Sequence, residues 1–313
     1  MEDIIEEVRK SLRRLTGELE NFQDIAKALT PSSGNLPSLS GIELFGESMP
    51  LNGVIGGDHI IYLDFKKRYD LEARIEYAHE AGRDEVEAQL KGCQRKAGIA
   101  LLDVSGHQIT DALLAAMLHQ AFLLGAIYEL DNSGNITERL FENINTRFYN
   151  SSSVTKFLTM IYGEISEEGM FKFISAAHPM PLFFSSHHDQ FVDFNEELLT
   201  TFPPIGTLPS QEDIDKRATQ SVLGYKTKYQ VYQINLMAEG DIIMLYTDGL
   251  SEHTKGNEEY FPNHLETKLR EVKDRSAREI FQSIKEDLVE FSKPEDDISY
   301  IVIKRNSHGG GAT

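Results

Sequence analysis

The chain reads as an α+β protein in which packed antiparallel β-sheets are covered by helices, with one amphipathic heptad helix in front. Three observations support this. Short apolar runs ending in turn residues recur along the chain, two of them flank a hairpin-like separator, and helical patterns lie between and after the strands. At 313 residues, 40% apolar and 26% charged, the chain has enough apolar surface for one substantial domain plus an extension, and disorder is excluded as its dominant state.

The first thirty residues place Ile5, Val8, Leu12, Leu15, Leu19, Phe22, Ala26 and Leu29 at steps alternating three and four. That heptad seam favours a parallel coiled-coil homodimer over a helix packed on its own domain. Gly17 weakens the helix. Pro31 and the loop SSGNLPS end it, marking a linker over residues 31–38. The main domain is expected over 39–305, with 306–313 as a loose tail.

Within that domain, GVIGGDHIIYLDF holds two strands' worth of extended chain, and residues 69–96 are charged with scattered apolar positions, a helical pattern. AGIALLDVSG is an apolar run that stops at Asp, Ser and Gly, as a buried strand entering a loop does. Residues 112–128 form the most apolar stretch, shorter than a typical membrane span and interrupted by His119 and Gln120, so they read as a buried helix. Leu140, Phe141, Ile144 and Phe148 share one face of the next helix.

FLTMIYGEIS and MFKFISAAHP flank Glu167, Glu168 and Gly169, a hairpin turn, and PLFFSS extends the sheet. Residues 195–228, rich in polar residues, Pro, Gly and Thr, predict an irregular excursion. VYQINL and DIIMLYTDG are strands around a turn at residues 238–240. Ser276 with Glu279 is a capping box for a helix with Ile280, Ile284 and Leu288 on its apolar face, and DDISYIVIKR closes as a strand.

Thirty-one Lys and Arg against 50 Asp and Glu leave a net charge of −19, which opposes binding to nucleic acid or to an anionic membrane surface. The single cysteine, Cys93, excludes an intramolecular disulfide framework and is expected to be a buried, inert thiol. The acidic N-terminus does not look like a secretory signal, and the expected location is cytoplasmic.

Four aspartates end apolar runs beside Gly or Ser: Asp58 in IGGD, Asp103 in ALLDVSGH, Asp248 in LYTDGL and Asp297 in PEDDIS. A carboxylate just past a buried strand is held rigidly, and a small neighbour lets other backbone approach. An oxygen-only set without cysteine suits Mn²⁺ or Mg²⁺ better than Zn²⁺. The adjacent Asp296 is an alternative to Asp297. Ser105 lacks the surroundings of a hydrolase nucleophile, because GxSxG is absent.

Taken together, GGD at 56–58, DVSGH at 103–107, SAAHP at 175–179, YTDGL at 246–250 and DDIS at 296–299 resemble the motifs of type 2C metal-dependent protein phosphatases. The resemblance is to their SpoIIE-like branch, which controls bacterial sigma-factor switches, and it runs over nearly the whole chain. It implies an αββα sandwich and a two-metal site with Asp58, Asp103, Asp248 and Asp297 as ligands. Asp103 would bridge the ions and the Val104 carbonyl would be a further ligand. The implied reaction is hydrolysis of phosphoserine or phosphothreonine, by a metal-activated water, on a phosphoprotein such as an anti-sigma-factor antagonist. His107 would serve as a loop or proton-donating group and His178 would order its turn.

Three features depart from the family pattern: Gln108 follows DVSGH, Ala177 stands where SAGHP has Gly, and Asp64 has no clear equivalent. Residues 69–96 look like an insertion. A non-catalytic phosphoprotein-binding module is the alternative reading, and the complete set of four aspartates favours the enzyme.

Overall fold

The computed structural model describes residues 2–27, 36–51, 56–106, 109–150, 157–192, 202–217, 221–235 and 238–306. Helix α1 (Glu2–Lys27) leaves its seam uncovered: Val8, Leu12 and Leu15 are each more than half exposed. Leu29 and linker residues 31–35 lie outside the described residues. Strand β1 (Ile42–Met49) follows, then β2 (His59–Asp64). The GVIGGDHIIYLDF stretch thus yields one strand within the described residues, not two. Asp64 caps the one-turn helix α2 (Phe65–Arg68) by accepting from Lys67 N.

The charged segment folds as two helices, α3 (Leu71–Glu80) and α4 (Asp84–Cys93), before β3 (Lys96–Val104). Helix α5 (Ile109–Ser133) is only half buried. Ala115, Leu118, Phe122, Ala126 and Leu130 pack inward, while Leu113, Met117, Leu124 and Tyr128 stay exposed. This corrects the expectation of a buried helix: an apolar run sets no limit on how many of its faces are covered. By length and composition residues 111–133 are apolar enough to cross a membrane, yet their inward face belongs to the core of the domain.

Helix α6 (Glu138–Asn150) buries Leu140, Phe141 and Ile144. Strands β4 (Leu158–Ser166) and β5 (Met170–Ala176) form the expected hairpin, with Gly169 at φ 85° in its turn. Beyond them β6 (Leu182–Ser185) and β7 (Gln190–Phe191) cross to the other sheet, so PLFFSS does not extend the hairpin. The excursion holds no helix or regular strand among its described residues. Strands β8 (Tyr232–Asn235) and β9 (Ile242–Tyr246) also part company into different sheets.

The last third of the chain holds α7 (Asp248–Ser251), β10 (Thr254–Lys255), β11 (Glu258–Glu259) and α8 (Asn263–Val272). Helix α9 (Ala277–Phe291) starts at the capping box, with the Ser276 side chain accepting from Glu279 N and the Glu279 side chain from Ser276 N. It buries Ile280, Phe281, Ile284 and Leu288, each such side chain stabilising by roughly 1.5–3 kcal/mol. Strand β12 (Ile298–Arg305) completes the chain.

Two five-stranded sheets result, in the orders β1-β12-β9-β6-β7 and β2-β3-β4-β5-β8. Every named pair is antiparallel. Alternation along the strands makes three apolar layers. Ile60, Tyr62, Ile99, Leu101 and Ile161 meet Ile243, Leu245, Ile301 and Ile303 between the sheets. Helices α3 to α6 cover one outer face, and α8 with α9 covers the other. This is the expected αββα sandwich.

Candidate functional site

The inward alternation that builds the central apolar layer predicts what lies at its end. Two residues past Leu101 comes Asp103, two past Leu245 comes Thr247, and two before Ile161, Ile60 and Ser299 come Thr159, Asp58 and Asp297. The dry layer therefore ends in a polar one fed by both sheets. Asp58, Asp103 and Asp297 belong to it, and Asp248 follows Thr247 directly at the start of α7.

Asp58 and Asp297 are buried, at 5% and 4% exposure, and each is oriented by neutral donors. Thr247 Oγ1 donates to Asp58 Oδ2 at 2.8 Å. Leu51 N and Gly57 N donate to Asp297 Oδ1 and Oδ2 at 2.6 and 2.7 Å. Asp103 and Asp248, reaching in from opposite sheets, come close enough that each carboxyl perturbs the other. These contacts orient the carboxylates and leave further lone pairs on each of them. Among the described residues no three carboxylate, imidazole or thiol groups are drawn into a ready-made cage.

The electrostatics are those of carboxylates crowded in a low dielectric. Burial, reinforced by Asp248 and then Asp296 and Asp297, pushes Asp103 up to about 7. Asp58 is raised well above the usual carboxylate range by burial and then by Asp103, against the lowering hydrogen bonds of Thr247 and Ser299. Asp248 is raised by burial, Glu252 and Asp296. The charges raising these three groups are all carboxylates. The site thus suits a divalent cation, which would replace mutual repulsion with attraction.

The small residues of the motifs have a steric cause. A Cβ on Gly56 would lie 1.9 Å from Asp297 Oδ2, and one on Gly57 2.4 Å from both the Val104 and Gly106 carbonyl oxygens. At Gly249 it would lie 2.0 Å from the Asp297 carbonyl oxygen. Only glycine lets the aspartate-bearing loops close on one another, and Gly57 leaves the Val104 carbonyl uncrowded.

The remaining candidates fall into supporting places. Ser105 Oγ accepts from Phe157 N at 3.0 Å, and Asp296 is exposed and accepts from Asp297 N at 2.8 Å. His107 and Gln108 lie outside the described residues. Cys93 is buried and pushed up to about 12, mainly by burial, which makes it an inert thiol. Ala177 sits at φ 52°, left-handed backbone that suits glycine, so its departure from SAGHP carries strain. A cavity of about 310 Å³ lined by Lys96, Glu164 and Tyr162 lies toward the other end of β3 from Asp103.

Sequence reasoning missed two groups. Thr247 and Ser299, neighbours at the ends of β9 and β12 in one sheet, brace each other, with Ser299 N donating to Thr247 Oγ1 at 3.0 Å, and Thr247 reaches across to Asp58 beside β2 of the other sheet. His59, next to Asp58, meets His119 of α5 with 2.6 Å between Nε2 and Nδ1. Burial lowers them to about 3 and about 4, so both are neutral at pH 7. His119 had been visible as a polar residue in an apolar helix, but its partner sixty residues away had no sequence signal.

The family model for Stage II sporulation protein E (SpoIIE) matches residues 94–306. The phosphoserine phosphatase RsbU of Bacillus subtilis (strain 168) is 25% identical over 211 residues, which cover 66% of this chain and 55% of RsbU. The match thus spans little more than half that relative's length. Among solved structures, the SiaA-PP2C domain of Pseudomonas aeruginosa aligns with a TM-score of 0.64 at 15% identity, covering 94% of this chain and 98% of that one. RsbX in complex with magnesium aligns at 0.51 and 14% identity, covering 87% and 98%. These two likenesses support the fold.

Proposed function

The chain belongs to the SpoIIE family, and from that premise we propose that it is a metal-dependent protein phosphatase. It removes phosphate from phosphoserine or phosphothreonine on a regulatory protein, an anti-sigma-factor antagonist. One observation carries the reading: Asp103 and Asp248 arrive from opposite sheets, face each other and are both raised by burial and neighbouring carboxylates. Asp58, Asp103, Asp248, Asp297 and the Val104 carbonyl would hold two Mn²⁺ or Mg²⁺ ions. Bound there, such ions lower the pKa of water and screen its approach to a phosphate dianion.

The chain's own residues prepare that chemistry. Asp103, at the end of a buried strand, would serve both ions. Thr247 fixes the rotamer of Asp58, and the amides of Leu51 and Gly57 fix that of Asp297. Preset carboxylates need little reorganisation when charge develops. The exposed seam of α1 supports a second proposal, a parallel coiled-coil homodimer formed through residues 1–30, because a helix this amphipathic gains stability from a partner.

The test is turnover of a chromogenic phosphate ester and of phosphoserine proteins with Mn²⁺, with Mg²⁺ and with EDTA. The reading requires metal-dependent hydrolysis that EDTA abolishes. Metabolite phosphates turned over far faster than any phosphoprotein would remove the protein substrate from the account.

A further inference from the structure

Because Asp103 lies on β3 of one sheet and Asp248 follows β9 of the other, the distance between them tracks the distance between sheets. Sheet spacing is ordinarily set by interdigitated apolar side chains. At this end the apolar layer has given way to Thr159, Thr247 and carboxylates, so something else must hold the gap. His178 is placed to do so. It is buried at 4% exposure and lies on the crossover from β5 to β6, where the chain passes from one sheet to the other.

On one side His178 Nδ1 lies 2.9 Å from Thr159 Oγ1. Thr159 is the cross-strand partner of Asp103, so their side chains stand together on the inner face. On the other side the backbone carbonyl of Tyr246, two residues before Asp248, lies near the ring but short of a hydrogen bond with it. The main chain of His178 is pinned as well: Ser175 Oγ donates to its carbonyl at 2.9 Å, and its N–H donates back to Ser175 Oγ at 3.2 Å. The strained φ of Ala177 and the extended bias before Pro179 aim the ring inward.

We propose that His178 is a positioning residue, a strut that sets the gap between Asp103 and Asp248 through Thr159 on one sheet and the Tyr246 end of β9 on the other, and so sets the affinity for divalent cations. Burial pushes His178 down to about 3, so at neutral pH the strut adds no charge to the site. Its Nε2 is buried without a hydrogen-bond partner among the described residues. Drawing the sheets together toward the Tyr246 carbonyl would supply one. Cation binding and closure of this bond therefore favour each other.

The inference rests on the metal-dependent reading, and calorimetric titration of the full chain with Mn²⁺ separates the two. Parent protein, His178→Ala, His178→Asn, Thr159→Val and the His178→Ala/Thr159→Val double variant are compared, each checked for folding in EDTA. Loss of a group that orients metal ligands typically weakens binding about 10- to 100-fold. His178→Ala and Thr159→Val should each weaken Mn²⁺ binding on that order, and the double variant should be no weaker than the worse single one. His178→Asn, which keeps a polar atom near the Nδ1 position, should recover most of the affinity.

A residue that only stabilises the fold would lower the melting temperature in EDTA and leave Mn²⁺ affinity within about twofold of the parent. That result in His178→Ala, or in Thr159→Val should the histidine variant not fold, overturns the strut alone. Single-variant losses that multiply in the double variant do the same. A parent protein that binds no Mn²⁺ overturns the metal-dependent reading and the strut with it.

Discussion

In the absence of divalent cations, replacing the central carboxylate should make the protein more stable. Asp103 is raised from the usual 3.8 to about 7 by burial, Asp248, Asp296 and Asp297. Between those values the folded chain keeps a proton that the unfolded chain has lost, so stability falls as pH rises from about 4 to 7 and stays low above it. A shift of roughly 3 units at 1.36 kcal/mol each sets a ceiling of about 4 kcal/mol. Asp103→Asn removes that penalty. At pH 8 in EDTA the variant should be more stable by about 2–4 kcal/mol, on the order of 5–10 °C in melting temperature for a domain of this size. At pH 5 most of the advantage should be gone. Scanning calorimetry at pH 5, 6, 7 and 8 reads this directly. With saturating Mn²⁺ the order should reverse, because only the parent binds the ions tightly. A variant less stable than the parent at pH 8 in EDTA would show that the carboxylates are not under the repulsion inferred here.

Three further outcomes follow from single contacts. Ala177→Gly should stabilise the protein by about 0.5–1 kcal/mol by relieving the left-handed backbone at φ 52°, measured by urea denaturation with an unchanged slope. Thr247→Val removes the donor to Asp58 Oδ2 and the acceptor for Ser299 N; it should cost about 1–3 kcal/mol of stability and weaken Mn²⁺ binding, read by denaturation and by calorimetric titration. Leu15→Glu, at the middle of the exposed seam, should convert the dimer to monomer in light scattering with metal affinity intact. A parent chain that is monomeric at micromolar concentration would remove the coiled coil from the account.

The parts legible in the sequence were those encoded locally. Glu167, Glu168 and Gly169 announced a hairpin because a turn needs only its own residues, and Ser276 with Glu279 announced α9 because a capping box spans one helical turn. Sheet membership is not local. An alternating strand buries one face equally well in either sheet, so β6 read as an extension of the hairpin, and β8 and β9 read as strands about one turn, although β6 crosses sheets and β8 and β9 are divided between them. The exposed half of α5 was hidden for the same reason: its apolar residues surround the helix, and only tertiary contacts decide which are covered.

The site divides along the same line. Each aspartate showed itself by ending an apolar run beside Gly or Ser, and the glycines now have a cause in the close approach of the Asp297 and Val104 backbones and the Asp297 side chain. What orients the aspartates comes from distant residues: Thr247 for Asp58, backbone amides for Asp297, and Thr159 with His178 beside Asp103. None of these pairs has a spacing that a sequence pattern could reveal.

The central claim is that the four aspartates hold catalytic cations between the sheets. Crystals of the full chain soaked in Mn²⁺ and measured by anomalous diffraction test it most directly. The account predicts two peaks about 3.5–4 Å apart, within coordination distance of Asp58, Asp103, Asp248 and Asp297, with Asp103 touching both, and their loss in Asp103→Asn. Peaks elsewhere on the surface with none between these carboxylates would contradict it.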